Sequence, residues 1–249
     1  MRALTFAKRN FTEILRDPLS YLFGIGLPLF MLVVMTVINS AIPKESGNVI
    51  FNIDNLSCGI AVFSLSFVML SAAILVSKDK TGAFLTRLYS SPMRAVDFIV
   101  GYALPLLAVA LLQMAVTFVA SMIIGLIVKT PLSALGVLLA FVSLVPSAVF
   151  FLSLGMIFGF CFNQNSAPPV CSFIITLTGL LGGIWFDCSW VGGVLELSCR
   201  ILPFYNAVTS ARLALCMDAD AWLYLAIISG YAVVGVLISI LAFKVSRKR

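Results

Sequence analysis

Acidic and basic residues are absent from five long stretches of the chain: Pro18–Pro43, Asn55–Ser77, Phe98–Val128, Thr130–Phe186 and Ala221–Phe243. A helix needs about 20 apolar residues to cross the hydrocarbon core of a bilayer. Four stretches therefore hold one crossing each, and Thr130–Phe186 is long enough for two. The pattern predicts an all-α polytopic membrane protein with six transmembrane helices. They run over Leu19–Ile42, Leu56–Ser77, Phe98–Val128, Leu132–Phe162, roughly Pro169–Trp185, and Ala221–Phe243. The third and fourth are longer than a perpendicular crossing requires, so they tilt or extend beyond the bilayer.

The segments between these spans carry patterns of their own. Over residues 1–17, Leu4, Ala7, Phe11, Ile14 and Leu15 recur at helical spacing, with Lys8, Arg9, Thr12 and Arg16 between them. That arrangement suits an interfacial helix, its apolar stripe in the acyl chains and its cations at the headgroups. An inward extension of the first span is the alternative. Asp17-Pro18 ends the segment, because a residue before proline is pushed away from helical angles. Residues 182–220 are too long for a turn and too apolar for a solvated loop. Gly182-Gly183, Gly192-Gly193 and Pro203 cut them into pieces too short to span. Irregular backbone at membrane depth survives only when protein or a wet cavity satisfies it. The segment is therefore expected to form short extracellular re-entrant helices between helices five and six, rimmed by Trp185, Trp190, Phe204 and Tyr205.

Charge then sets the orientation. Arg2, Lys8, Arg9 and Arg16 precede the first span, Lys78, Lys80, Arg87 and Arg94 follow the second, and Lys244, Arg247, Lys248 and Arg249 follow the last. Only Lys44, Lys129, Arg200 and Arg212 fall on the opposite side. The positive-inside rule places both termini in the cytoplasm. The net charge of +6 is accounted for by this placement rather than by nucleic-acid binding. Hydrophobic residues make up 61% of the chain against 10% charged, and mean hydropathy is +1.13. No segment is polar enough for a separate soluble domain, so residues 1–249 read as a single transmembrane domain. Its first apolar run is too long for the h-region of a signal peptide.

Candidate chemistry is sparse. There is no histidine, which removes imidazole acid–base catalysis and His–metal sites. Six cysteines show no CxxC spacing. Cys188 and Cys199 share the outer segment and form either a disulfide, in an oxidising compartment, or two buried apolar side chains. No acid or base lies inside a span to relay a driving ion. Gln113, with Thr117 and Ser121 beyond it, is the one strongly polar side chain near the middle of a span, suited to an interhelical hydrogen bond or, as the alternative, to contact with a substrate. Gly155-x-x-x-Gly159 and Gly179-x-x-x-Gly183 would let helices approach closely. The chain lacks any Gly-Lys dipeptide and hence a GxxxxGK[ST] phosphate loop. Energy for uphill transport must then come from a separate ATPase.

Residues 78–97 are the place for such a partner to dock. Phe84 and Leu88 are i,i+4 with Leu85 beside them, and Arg87 lies off that stripe. Asp79 is placed to favour a helix N-terminus, and Ser90-Ser91-Pro92 stops the helix. A short amphipathic lever of this kind can insert its apolar knobs into a groove on a partner; a solvated turn would have the same pattern.

Taken in order, several motifs resemble the permeases of type-2 ABC exporters, the class that includes drug, antibiotic and polysaccharide exporters. They are Arg9-Asn10-Phe11 through Arg16-Asp17-Pro18, and Lys80-Thr81-Gly82 through Leu88-Tyr89-Ser90-Ser91-Pro92. Gly182-Gly183, Leu202-Pro203-Phe204 and Arg212 complete the set. The resemblance implies a membrane subunit without catalytic residues, working as a dimer with a second permease copy. It implies two copies of a cytoplasmic ABC ATPase, which would hold ATP and Mg, leaving no cofactor on this chain. It makes Asp79–Leu88 the coupling helix, with Asp79, Lys80, Thr81, Gly82, Phe84, Leu85, Arg87 and Leu88 as coupling residues. Lys8, Arg9, Phe11 and Arg16 belong to the interfacial helix packed near that ATPase. Phe63, Phe67 and Leu70, with Thr176 and Leu180, would line a translocation path at the dimer axis. Ala83-Phe84 stands where many relatives carry a glutamate. A channel that works without an ATPase and a membrane scaffold are the alternatives.

Overall fold

The computed structural model describes residues 2–42, 50–82, 95–186 and 192–247. Among them the chain is helical throughout, without strands. Helix α1 (Arg2–Leu15) is followed by α2 (Pro18–Tyr21), a π-helical turn (Leu22–Gly26) and α3 (Leu27–Ala41). Then come α4 (Ile53–Thr81), α5 (Ala95–Ile127), α6 (Ala134–Ser143), α7 (Val145–Cys161) and α8 (Ala167–Leu181). Helices α9 (Gly193–Ile201), α10 (Pro203–Leu215) and α11 (Ala221–Arg247) complete the chain.

Among the described residues, five segments are long and apolar enough to cross a membrane: Leu22–Ala41, Ile53–Thr81, Val96–Ile127, Ala134–Cys161 and Ala221–Ser246. The sixth expected span differs. Helix α8 has 15 residues, a rise of about 22 Å against a hydrocarbon core of about 30 Å. Pro168 and Pro169 open it, since proline suits the first helical turn. Gly183, at φ 68°, closes it in a conformation that side chains rarely adopt. Its two ends nonetheless lie at opposite ends of α4. Gln164, just before α8, meets Thr81, whereas the Gly183 carbonyl and that of Asn55 share the Arg212 guanidinium.

Proline also explains a departure from continuous helix. The expected fourth span divides into α6 and α7 at Leu144, two residues before Pro146, whose ring and missing N–H disrupt the preceding turn. Within α5, by contrast, Pro105 is carried inside a helix that continues from Ala95 to Ile127.

Helix α4 is the hub. Of its most apolar window 83% is buried, against 17% for Leu22–Ala41 and 22% for Ala221–Ser246. Small residues make this possible. A methyl added at Gly155 or Gly159 of α7 would meet the Met69 carbonyl and Ala72, or Val76, so these glycines set α7 directly on α4. Phe243, near the end of α11, packs between Phe98 of α5 and Phe160 of α7. The start of α5, the end of α7 and the end of α11 therefore meet at one end of the bundle. Helix α10 is largely buried, and α9 exposes Val194, Leu197 and Ile201. The hydroxyl of Tyr231 donates to the Ile201 carbonyl at 2.8 Å, tying the α9–α10 junction to α11.

Candidate functional site

Helix α1 is held against the end of α4 and the start of α5 by one face of its wheel. Phe6, Ala7, Asn10 and Ile14 are buried there. Leu4, Phe11 and Leu15 form a separate exposed apolar face, and Lys8, Thr12 and Arg16 an exposed polar one. The expected apolar stripe thus divides: Ala7 and Ile14 pack on protein, while Leu4, Phe11 and Leu15 remain outward. A helix with one flank on protein, one apolar flank free and one cationic flank has the geometry of an interfacial element.

The buried flank carries two polar attachments. Asn10 Nδ2 donates to the Gly101 carbonyl at 3.0 Å. In a regular helix that carbonyl would accept from residue 105, but residue 105 is proline and has no N–H. Asn10 supplies the missing donor. Gly101 has no side chain to obstruct Phe6, which packs over it and makes edge contacts with Phe98 and Tyr102.

The second attachment is ionic. Asp79, 3% exposed, receives both arms of the Arg9 guanidinium, Nη1 to Oδ2 at 2.8 Å and Nη2 to Oδ1 at 3.0 Å. Tyr102 donates its hydroxyl to Oδ2 at 2.8 Å. Arg9 also pairs with Glu13 at 3.0 Å, and Glu13 with Lys78 at 2.7 Å. The hydrogen bond to Asp79 raises the Arg9 pKa above its ordinary value, with burial opposing it. A two-pronged pair fixes orientation as well as distance, so α1 and the end of α4 are joined rigidly. One residue further, Lys80 Nζ donates to the Phe160 carbonyl at 2.7 Å, satisfying one of the last carbonyls of α7.

These contacts correct the local reading of Asp79. It does not open a new helix; Asp79, Lys80 and Thr81 are the last turn of α4, and Gly82 follows as its cap, its N–H on the Lys78 carbonyl at 2.9 Å. No helix breaker stands between Ser77 and Gly82, and lysines suit a helix C-terminus, so the helix runs on. Phe84, Leu85, Arg87 and Leu88 lie outside the described residues.

Along α4, Phe63 and Phe67 touch at 5.3 Å between ring centroids. Trp185 closes on Phe63 at 5.6 Å, and Phe23 of the π-helical turn stacks on Phe67 at 6.4 Å. Leu70 is half-buried on the same face. Thr176 and Leu180 of α8 are exposed and do not join this ladder. Cys199 is buried on α9, whereas Cys188 lies outside the described residues.

The ABC-2 type transporter family profile matches residues 2–215, from α1 to the end of α10. The chain belongs to the ABC-2 type transporter family. Comparison with curated proteins gives no match. This ABC-2 chain is a multi-pass membrane permease, and the family implies an ABC ATPase as its partner. Motif order made the family legible in the sequence. The attachment of this permease's α1 through Asn10, Gly101, Pro105 and Tyr102 was not. Its one visible signal was a proline four residues after a glycine in a charge-free span.

Proposed function

We propose that this chain is the membrane subunit of an ATP-driven exporter, forming the translocation path as a dimer with a second permease copy. A separate cytoplasmic ATPase, holding ATP and Mg, would act on the segment that follows α4. The carrying observation is the Arg9–Asp79 pair, which joins α1 to α4 at the point where that segment begins. Force applied to residues 83–94 would then move α1 and the end of α4 as one body, toward or away from the second copy. In this reading α8 is the sixth crossing, supported by its ends lying at opposite ends of α4, with α9 and α10 as a re-entrant pair on the outside. Both termini are cytoplasmic. The ladder of Phe63 and Phe67, with Leu70 and the exposed Thr176 and Leu180, faces the path.

Affinity purification from native membranes in mild detergent should bring down a stoichiometric protein carrying a GxxxxGK[ST] loop. In vesicles holding both subunits, Phe84→Asp with Leu88→Asp should abolish transport and leave insertion intact, because two charges cannot enter an apolar groove on the ATPase. Normal transport by that variant would overturn the lever. Solute leak from liposomes containing the permease alone would favour a channel instead.

A further inference from the structure

Between the C-terminal half of α1, the elbow into α2 and the last turns of α4 lies an open cavity of about 700 Å3. Its size is that of a small-molecule site. Ile14, Ile74 and Leu75 form an apolar wall, and Arg9, Arg16 and Lys78 supply cations at the rim, with Glu13 and Asp17 among them. The acids are already engaged: Glu13 binds Arg9 and Lys78, and Asp17 accepts the Ser20 hydroxyl at 2.6 Å. The Arg9 fork is directed at Asp79 and Glu13. Arg16 makes no ion pair among the described residues, and Lys78 uses one of its three donors on Glu13. An apolar wall below Arg16 and the two spare donors of the paired Lys78, at the level where an interfacial helix lies, matches an acyl chain below a phosphate. Basic pockets at this depth suit anionic headgroups.

We propose that this cavity binds one phosphate-headed amphiphile from the adjoining leaflet, its phosphate on Arg16 and Lys78 and its chain along Ile74 and Leu75. The inference rests on the chain lying in a membrane, not on the transport cycle proposed above. The full-length protein, stripped of lipid in detergent, would be titrated with phosphatidylglycerol, with a diacylglycerol of the same chains, and with inorganic phosphate, counting bound lipid by native mass spectrometry. One phosphatidylglycerol per chain should be retained. Arg16→Gln with Lys78→Gln should weaken it by about tenfold, the loss of one charge-assisted contact or more, and Arg16→Lys with Lys78→Arg should keep it. Equal retention by the Gln variant overturns the proposal. Equal binding of diacylglycerol reduces the cavity to an apolar groove, and displacement by inorganic phosphate makes it a free-anion site; either result also overturns it. On the unaltered protein, a diazirine-tailed phosphatidic acid should label Ile74 and Leu75 above the exposed Val33 and Val37 of α3. Uniform labelling would refute the placement even if the variants failed to fold.

Discussion

A single carbonyl illustrates how tightly α1 is specified. Pro105 removes the helical donor from Gly101, and Asn10 replaces it from another helix. Asn10→Ala leaves that carbonyl buried without a partner and should cost about 1–2 kcal/mol. In a Pro105→Ala background the helix supplies its own N–H, and the same Asn10→Ala change should cost half as much or less. Thermal melting of the four proteins in detergent measures the difference as a double-mutant cycle. Equal costs in both backgrounds would mean that Asn10 serves packing alone. The sequence showed Asn10 only as a link in a family motif, because its partner lies 91 residues away and no local rule joins a proline in one span to an asparagine in another helix. Asp79 was misplaced for the same reason. Its charge favours the start of a helix in isolation, but here Arg9 and Tyr102 outweigh that preference by meeting it inside the bundle.

Among the elements, five of the six expected spans were legible as helices long and apolar enough to cross, since the absence of charge over 20 or so residues admits few other structures. What periodicity did not resolve was which apolar positions meet protein and which meet lipid: Ala7 and Phe11 look alike in a stripe, yet one is buried and the other exposed. Glycine pairs were similarly ambiguous. Gly155 and Gly159 carry the α4–α7 contact, whereas Gly179 of the second pair meets Trp185, just beyond the end of its own helix. Gly159→Leu should therefore force α7 off Val76 and Ala73, an overpacking cost of about 1–3 kcal/mol. Gly230→Leu on α11, where nothing lies within 4 Å, is the matched control and should change stability by about 0.5 kcal/mol or less. Fluorescence-detected size-exclusion chromatography after graded heating separates the two; equal melting would remove the glycine pair from the packing argument.

At the scale of the whole molecule, polar and charged side chains tie α4 to its neighbours near both ends. Arg9, Tyr102 and Lys80 act at the Asp79 end, and Arg212 at the Asn55 end, where its Nε donates to the Asn55 carbonyl at 3.2 Å. A hub helix fixed in this way transmits displacement with little bending, and the Arg9–Asp79 fork, beside the Glu13–Lys78 pair, ties α1 to it. Arg9→Ala should then lower transport by about tenfold, equivalent to about 1.4 kcal/mol of lost coupling, while ATP hydrolysis by the assembled complex stays within about twofold of the unaltered protein. The reversed pair, Arg9→Asp with Asp79→Arg, restores attraction between the same two helices and should recover part of the transport. Vesicle uptake measured beside phosphate release distinguishes the outcomes. Parallel loss of hydrolysis would place Arg9 in docking the ATPase, and unchanged transport would show that α1 is a passive anchor.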